Sequence, residues 1–472
     1  MLARRRLLAP VLALSLAFGG ISLAATPAAA CLAVAVDAVS PAVHQSAARL
    51  LFVEGQGSMT AHVQIRYYGQ ADKFSWIVPV EAPPNLSVGS EAIFEALEAA
   101  TTHRFTLTHR TEGECKETER STGSPASARA PIAAPAAEAD AGAGVEVISR
   151  EAVGPYDAAV LTAEDPEALK KWLTANGYVV PERLDPMLDP YVEKGFAFVA
   201  LKLQQDKTAG DLQPIVLEYA ASKVSLPIRL ASLSATPDMD VKLWVLGKAR
   251  AVPENYLLTE INQARVDWLG GGGNYRQVVT EAMNEAGGKA FVTDYAGDSR
   301  VVDLQAMPMI GAPMMDLPAS GVIEARPEGR EELQALIAEN PYLTALYTTM
   351  SPDEMVEDAA FVFNPDMEKV AREHRAEAIR ECSPMVFAHE APMKIRLDGG
   401  ITYYLTEEAA PAGERPTEGK PVTIPAAGRV MRCGTVGAPK VQTNNLDGII
   451  RTLANLARQG IAIRVNTTAG AT

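Results

Sequence analysis

Apolar and polar residues alternate most regularly between positions 59 and 80. Met59, Ala61, Val63, Ile65 and Tyr67 take turns with Thr60, His62, Gln64, Arg66 and Tyr68, which is the period of a half-buried strand. Residues 50–54 precede this run across Gly55-Gln56-Gly57-Ser58, and after Gly69-Gln70-Ala71-Asp72 the alternation resumes at Phe74, Trp76, Val78 and Val80. Short Gly-bearing turns between such runs predict an antiparallel meander of three strands. Phe74 and Trp76 are expected in its core. The Thr60/His62/Gln64/Arg66/Tyr68 side, if exposed, is a mixed polar and aromatic surface suited to a glycan or peptide, with His62 half-exposed.

Ser90 has the cap chemistry for a helix carrying Ile93, Phe94 and Leu97 on one face. Between 121 and 144 the composition collapses to Ala, Pro, Ser and Gly, too little apolar surface to offset the entropy of ordering, so a disordered insertion is expected there. A strand follows at 145–148. Asp165-Pro166 then opens a helix with Leu169, Trp172 and Leu173 that stops at Asn176-Gly177. Residues 196–203 are apolar on both faces apart from Lys202, as in a buried central strand, and 215–219, 228–233 and 241–246 predict further strands.

From 327 to 380 the pattern turns helical, with Leu333, Leu336 and Ile337 on one face and a second helix from about 365 to 381. Strands at 395–397, 401–405 and 422–424 and a helix carrying Ile449, Ile450, Leu453 and Leu456 complete the chain. Strands and helices without regular alternation predict an α+β fold. Its parts are a mainly antiparallel β-rich body with inserted helices over 31–300 and a smaller helical and mixed C-terminal region over 301–472.

The start of the chain changes this picture by giving it a destination. Arg4, Arg5 and Arg6 precede an apolar run from Leu7 to about Leu23, and Pro27-Ala28-Ala29-Ala30 ends in the small residues that a leader peptidase accepts. Residues 1–30 therefore read as a secretory signal, and the mature protein is expected in the periplasm or outside the cell. Pro10, Gly19 and Gly20 interrupt the run and leave it short of a membrane span. Cys31 directly follows the cut and is a candidate for a lipid anchor, although Ala28 stands where a lipid-modification box carries Leu. No later stretch is apolar for long enough to cross a bilayer. Losing the three leader arginines takes the formal net charge from −15 to −18, a field that repels phosphate backbones and excludes nucleic acid as a partner.

The four cysteines are Cys31, Cys115, Cys382 and Cys433. An even number in an oxidising compartment suggests two disulfides, and their wide spacing does not resemble a zinc site. Three pairings are open; Cys31 with Cys115 and Cys382 with Cys433 is the preferred one, because each pair lies on one side of the chain's midpoint.

Three segments carry a family resemblance. They are residues 59–68 with 74–80 (MTAHVQIRYY and FSWIVPV), residues 286–297 (AGGKAFVTDYAG) and residues 341–352 (PYLTALYTTMSP). Together they resemble the bacterial family catalogued as domain of unknown function 2330, over about 50–363. The resemblance implies an exported bacterial protein, often with Cys-Gly-Gly at the mature start and sometimes with a C-terminal membrane helix. This chain has Cys31-Leu32-Ala33 instead, and its tail is too short and charged to span. The resemblance supplies no catalytic residues.

Candidate chemistry is sparse. Gly270-Gly271-Gly272-Gly273-Asn274 precedes a helix bearing Tyr275, Val278, Val279, Ala282 and Met283. Gly271, Gly272, Gly273 and Asn274 form a candidate anion-binding turn, since a helix N-terminus offers free N–H groups, but the spacing fits neither nucleotide fingerprint and a plain surface turn is the simpler reading. Glu373, His374, Glu377 and Glu381 would share a face of the helix expected before Cys382, where Arg372, Arg375 and Arg380 make an ion-paired solvated face the better reading than a metal site. His103 and His109 flank a short apolar stretch and form no recognisable pair. With no cofactor, metal or nucleophile motif, the expected function is a non-catalytic envelope or secreted protein that binds an envelope protein or glycan. The alternative is an extracytoplasmic hydrolase whose active site is dispersed along the chain.

Overall fold

The computed structural model describes residues 44–68, 74–116, 145–178, 184–204, 207, 212–304, 329–398, 402–404 and 428–431. The expected secretory signal at 1–30, the expected insertion at 121–144, the strand expected at 422–424, the last expected helix, Cys31 and Cys433 lie outside the described residues.

The first part of the chain forms β1 (His44–Glu54), β2 (Ser58–Tyr68), β3 (Ser75–Val80), β4 (Asn85–Val88), α1 (Glu91–Thr101) and β5 (Arg104–Glu112). Next come β6 (Glu146–Val153), β7 (Tyr156–Thr162), α2 (Pro166–Ala175), α3 (Asp185–Val192), β8 (Ala197–Leu203), β9 (Ile215–Ala220), β10 (Val224–Leu226) and α4 (Ile228–Ala231). The third stretch holds β11 (Ala235–Gly247), β12 (Arg250–Pro253), β13 (Leu257–Ile261), α5 (Tyr275–Glu285), β14 (Ala290–Asp298), α6 (Arg330–Glu339) and β15 (Tyr342–Met350). The last comprises β16 (Ala359–Asn364), β17 (Glu373–Glu381), β18 (Met393–Leu397), β19 (Thr402–Tyr404) and β20 (Gly428–Met431).

The α+β fold is built on a nine-stranded sheet in the order β20-β13-β14-β15-β11-β1-β2-β9-β4. It is antiparallel except where β11 meets β1 and β14 meets β13. A four-stranded sheet, β3-β8-β7-β6, packs on one face, and helices cover the other. Side-chain alternation divides the layers. On β1, Leu50 and Phe52 enter the core between the sheets while Leu51 and Val53 pack under α1 and α6; on β11, Val241, Leu243 and Val245 oppose Trp244 and Leu246 in the same way. The second sheet repeats the device, with Val199 facing inward and Phe198 meeting α2 and α3.

Both predicted caps form: Ser90 Oγ accepts from Ala92 N at 3.3 Å and Asp165 Oδ1 from Ala168 N at 2.8 Å.

Several expectations are corrected. β1 and β2 form the predicted hairpin, but β3 pairs with β8 in the opposite sheet, so the three strands are no meander. Stacking β3 over the hairpin buries the apolar sides of both, which a flat continuation could not do. The polar side of β2 is not the open platform expected: His62, 1% exposed, lies beside Glu332 of α6 and Gln64 is buried, while Thr60 is half-buried and Arg66 exposed. Residues 228–231 form α4, not a strand. The expected helix at 365–381 is strand β17, in which Glu373 and Arg375 are exposed while Ala376 and Ala378 are buried. Strand β15 lies between β14 and β11, so the boundary expected near residue 300 crosses the middle of a sheet. Among the described residues no helix is long and apolar enough to cross a membrane.

Candidate functional site

A small sheet, β19-β18-β17-β5, joins two distant parts of the chain. β5 and β17 run parallel from Arg104↔Glu373 to Glu112↔Glu381. In-register parallel strands bring the residues beyond their ends together, and Cys115 is disulfide-bonded to Cys382 with the Cα atoms 4.7 Å apart. This overturns the expected partners of both cysteines: sheet pairing, not nearness along the chain, decides which thiols meet.

At the opposite end of the same two strands the register sets His103, just before β5, beside His374. His103 Nδ1 lies 2.6 Å from His374 Nε2, and His103 Nε2 lies 3.2 Å from Asp294 Oδ1. Tyr275, at the start of α5, donates its hydroxyl to the same Asp294 oxygen at 2.7 Å, and the Gln263 amide nitrogen is 3.0 Å from His374 Nδ1. Asp294 is the residue skipped where the β14–β15 register shifts between Thr293 and Tyr295. A bulge of this kind re-aims a side chain out of the ladder, and here the carboxylate meets His103 and Tyr275.

The donors and acceptors settle the tautomers in sequence. The Gln263 amide nitrogen only donates, so His374 Nδ1 accepts and His374 carries its proton on Nε2. His103 Nδ1 accepts that proton's hydrogen bond, and His103 Nε2 donates to Asp294 Oδ1. Each bond of the chain thus has one donor and one acceptor. Burial, with the neighbouring His103 adding to it, pushes the His374 pKa down to about 4 against the pull of Asp294 and Glu373. Burial together with the Asp294 carboxylate raises the Tyr275 phenol well above its ordinary value.

Aromatic rings hold the histidines in place. Phe105 stacks on His374 with centroids 5.0 Å apart and meets the edge of Trp268 at 5.3 Å, while His103 sits 4.6 Å from Tyr275. Gly272 makes room for this. Its φ is +84°, and a Cβ there would collide with the Phe105 ring, so glycine is required twice over.

The candidate anion turn is thereby given a different place in the molecule. Gly270 N donates to Asp267 Oδ1, Gly271 N to Trp268 O, Gly272 N to Asp267 O and Gly273 N to Gly270 O. Asn274 bonds Asp267 N and Arg265 O. The N–H groups of Gly271, Gly272 and Gly273 are thus used within the turn, which buttresses Phe105.

A cavity of about 370 Å³ opens against His103, Phe105, Thr259, Gln263, Tyr275 and His374. Arg250, 5% exposed, lies in its wall and donates to Glu368 O at 2.7 Å and to Thr293 Oγ1 at 3.0 Å. Thr259, 2% exposed, also lines the cavity, and its hydroxyl has no hydrogen-bond partner among the described residues. Such an orphan costs about 1–3 kcal/mol until something meets it.

Of the residues singled out as a helix face, only His374 reaches the cluster. Glu377 pairs with Arg396, Glu381 with Lys394 at 2.7 Å and Glu373 with Arg372 at 3.0 Å, as the ion-paired reading expects but on a strand. His109 is not in the cluster. Among the described residues no three His, Cys, Asp or Glu side chains are grouped as metal ligands would be. Nothing local in the sequence marks Asp294, Tyr275 and Gln263 as site residues. The strand carrying His374 did have a signal: Glu373, Arg375 and Glu377 alternate with His374, Ala376 and Ala378.

Residues 25–362 match the family described as "Uncharacterized protein conserved in bacteria (DUF2330)". No curated protein and no solved structure matches the chain.

Proposed function

Because the chain belongs to the DUF2330 family of proteins conserved in bacteria, we propose that it is an exported envelope protein that binds a partner or glycan rather than transforming it. The leader at 1–30 carries it across the inner membrane to the periplasm or beyond, with Cys31 the place for a lipid anchor if one is added. Export is supported by the Cys115–Cys382 bond, of a kind that persists in oxidising compartments.

The ligand site is the cavity beside His374, and the carrying observation is the buried Thr259 hydroxyl in its wall, which meets no hydrogen-bond partner among the described residues. A small polar fragment of an envelope glycan or peptide answers that hydroxyl. Binding is favoured over turnover by the closed relay. None of its four bonds reaches a Ser, Thr or Cys, so the chain ends on an amide and not on a nucleophile.

The second reading, an extracytoplasmic hydrolase, draws on the oriented Asp294–His103 pair, the arrangement that serves a general base elsewhere. Calorimetric titration of residues 31–472 with soluble cell-wall glycans and stem peptides separates the two. Saturable binding that weakens about tenfold in Thr259→Val, the worth of one hydrogen bond, is expected. No retention on any envelope fraction sinks the binding reading, and hydrolysis of an ester, peptide or glycan panel that disappears in His103→Ala establishes the second.

A further inference from the structure

A second cavity, of about 170 Å³, lies between the main sheet and the four-stranded sheet. Its floor is the inner face of the β1–β2 hairpin, where Ala48 and Ala61 are small among larger neighbours, and its roof is β3 with Trp76 and Val78. Ile228 of α4 stands at one side. Small residues on one sheet, facing a second sheet held apart by its larger side chains, leave a gap that neither sheet fills.

Apart from the Trp76 indole, only Gln45, Glu81, Tyr219, Ser225 and Ser234 among its described lining residues carry polar side chains. Ala48, Leu50, Phe52, Ala61, Val63 and Val78 offer water no partner along their part of the lining, and an engineered apolar cavity of ~150 Å³ stays dry and takes up benzene instead. An empty gap forfeits dispersion contacts along its whole lining. The occupant that suits this space is therefore apolar and slender.

We propose that the inter-sheet cavity is a binding site for a single acyl chain, held by the apolar faces of β1, β2 and β3. Glu81 stands at the polar part of the lining, and burial raises its carboxyl pKa against the opposing pull of Lys194 and Lys223. Lys194 and Lys223 act on the same carboxyl, so charge at this end does not select a head group and the ligand is defined by its acyl or alkyl chain. This site is separate from the His374 cavity: the two share no lining residue.

The test uses residues 31–472 and the neutral dye N-phenyl-1-naphthylamine, whose fluorescence rises in apolar surroundings, with dodecanol as competitor. Saturable dye binding displaced by dodecanol is expected. Ala61→Leu and Ala48→Leu, which fill the gap, should each weaken the dye at least tenfold while circular dichroism and melting show an intact fold. Two filling positions keep the test decisive if one variant fails to fold. Absence of saturable binding, or unchanged affinity in a folded filling variant, overturns the proposal. So does dye binding that appears only after residues 31–43 are removed, since the site would then belong to the chain's own leading segment.

Discussion

The main sheet is buried on both faces, whereas the small β19-β18-β17-β5 sheet buries Ala376, Ala378, Ile395 and Leu397 on one side and carries cross-strand ion pairs on the other. The first is held by apolar area at about 25 cal/mol per Å². The second has a smaller apolar cluster and partly exposed ion pairs, each worth about 0–1 kcal/mol, and is clamped by a disulfide that closes 267 residues of chain. Yet the weaker sheet supplies His103 and His374 to the candidate site. The comparison teaches that a site can be placed by the less stable unit when a covalent clamp at one end fixes the register at the other.

The largest effect should come from breaking the main sheet. Leu243 is fully buried in the centre of β11, and Leu243→Ala is expected to cost about 4 kcal/mol in a denaturant melt. A loss below about 1 kcal/mol would mean that area does not hold this region.

Acid should sharpen the contrast next. His62 on β2 is 1% exposed, and burial lowers its pKa from 6.5 to about 4. The unfolded chain therefore takes up this proton first. Stability is full above pH 6.5 and falls as pH drops towards 4, by on the order of 3 kcal/mol from His62, with His374 contributing in the same direction. Glu332 is 3.8 Å from His62, but burial raises its own pKa as well, so desolvation and not ion pairing sets the sign. His62→Leu should flatten most of this acid limb, and an unchanged limb would show that other groups cause it.

The change most confined in space comes last. Reducing Cys115–Cys382 should cost about 2–5 kcal/mol and be felt at the clamp. Hydrogen exchange is expected to quicken across 104–112 and 373–381 while 241–246 stays protected. Uniform quickening would show that the two sheets melt as one.

Much of the main body was legible in the sequence because its signals are local. The alternation of Met59, Ala61 and Val63 with Thr60, His62 and Gln64 identified β2, and Ser90 and Asp165 identified helix starts. Where locality failed, so did the reading. Alternation at 74–80 identified a strand but not the sheet it joins, and charges at 373–381 suited a helix face as well as a strand edge. His62 was expected half-exposed because nothing in its neighbours along the chain announces a helix some 270 residues away.

Composition and order of residues alone determined the basic, apolar and small-residue pattern of residues 1–30, the acidic charge, the α+β class and the positions of most body strands, because each is written in composition or in neighbours close along the chain. Only the tertiary structure decided which thiols bond, that Gly272 serves Phe105, and that His103, Gln263, Tyr275, Asp294 and His374 converge. The physical reason is that β5 pairs with β17, a contact between segments some 270 residues apart, and pairing energy between distant strands leaves no periodic trace in either one.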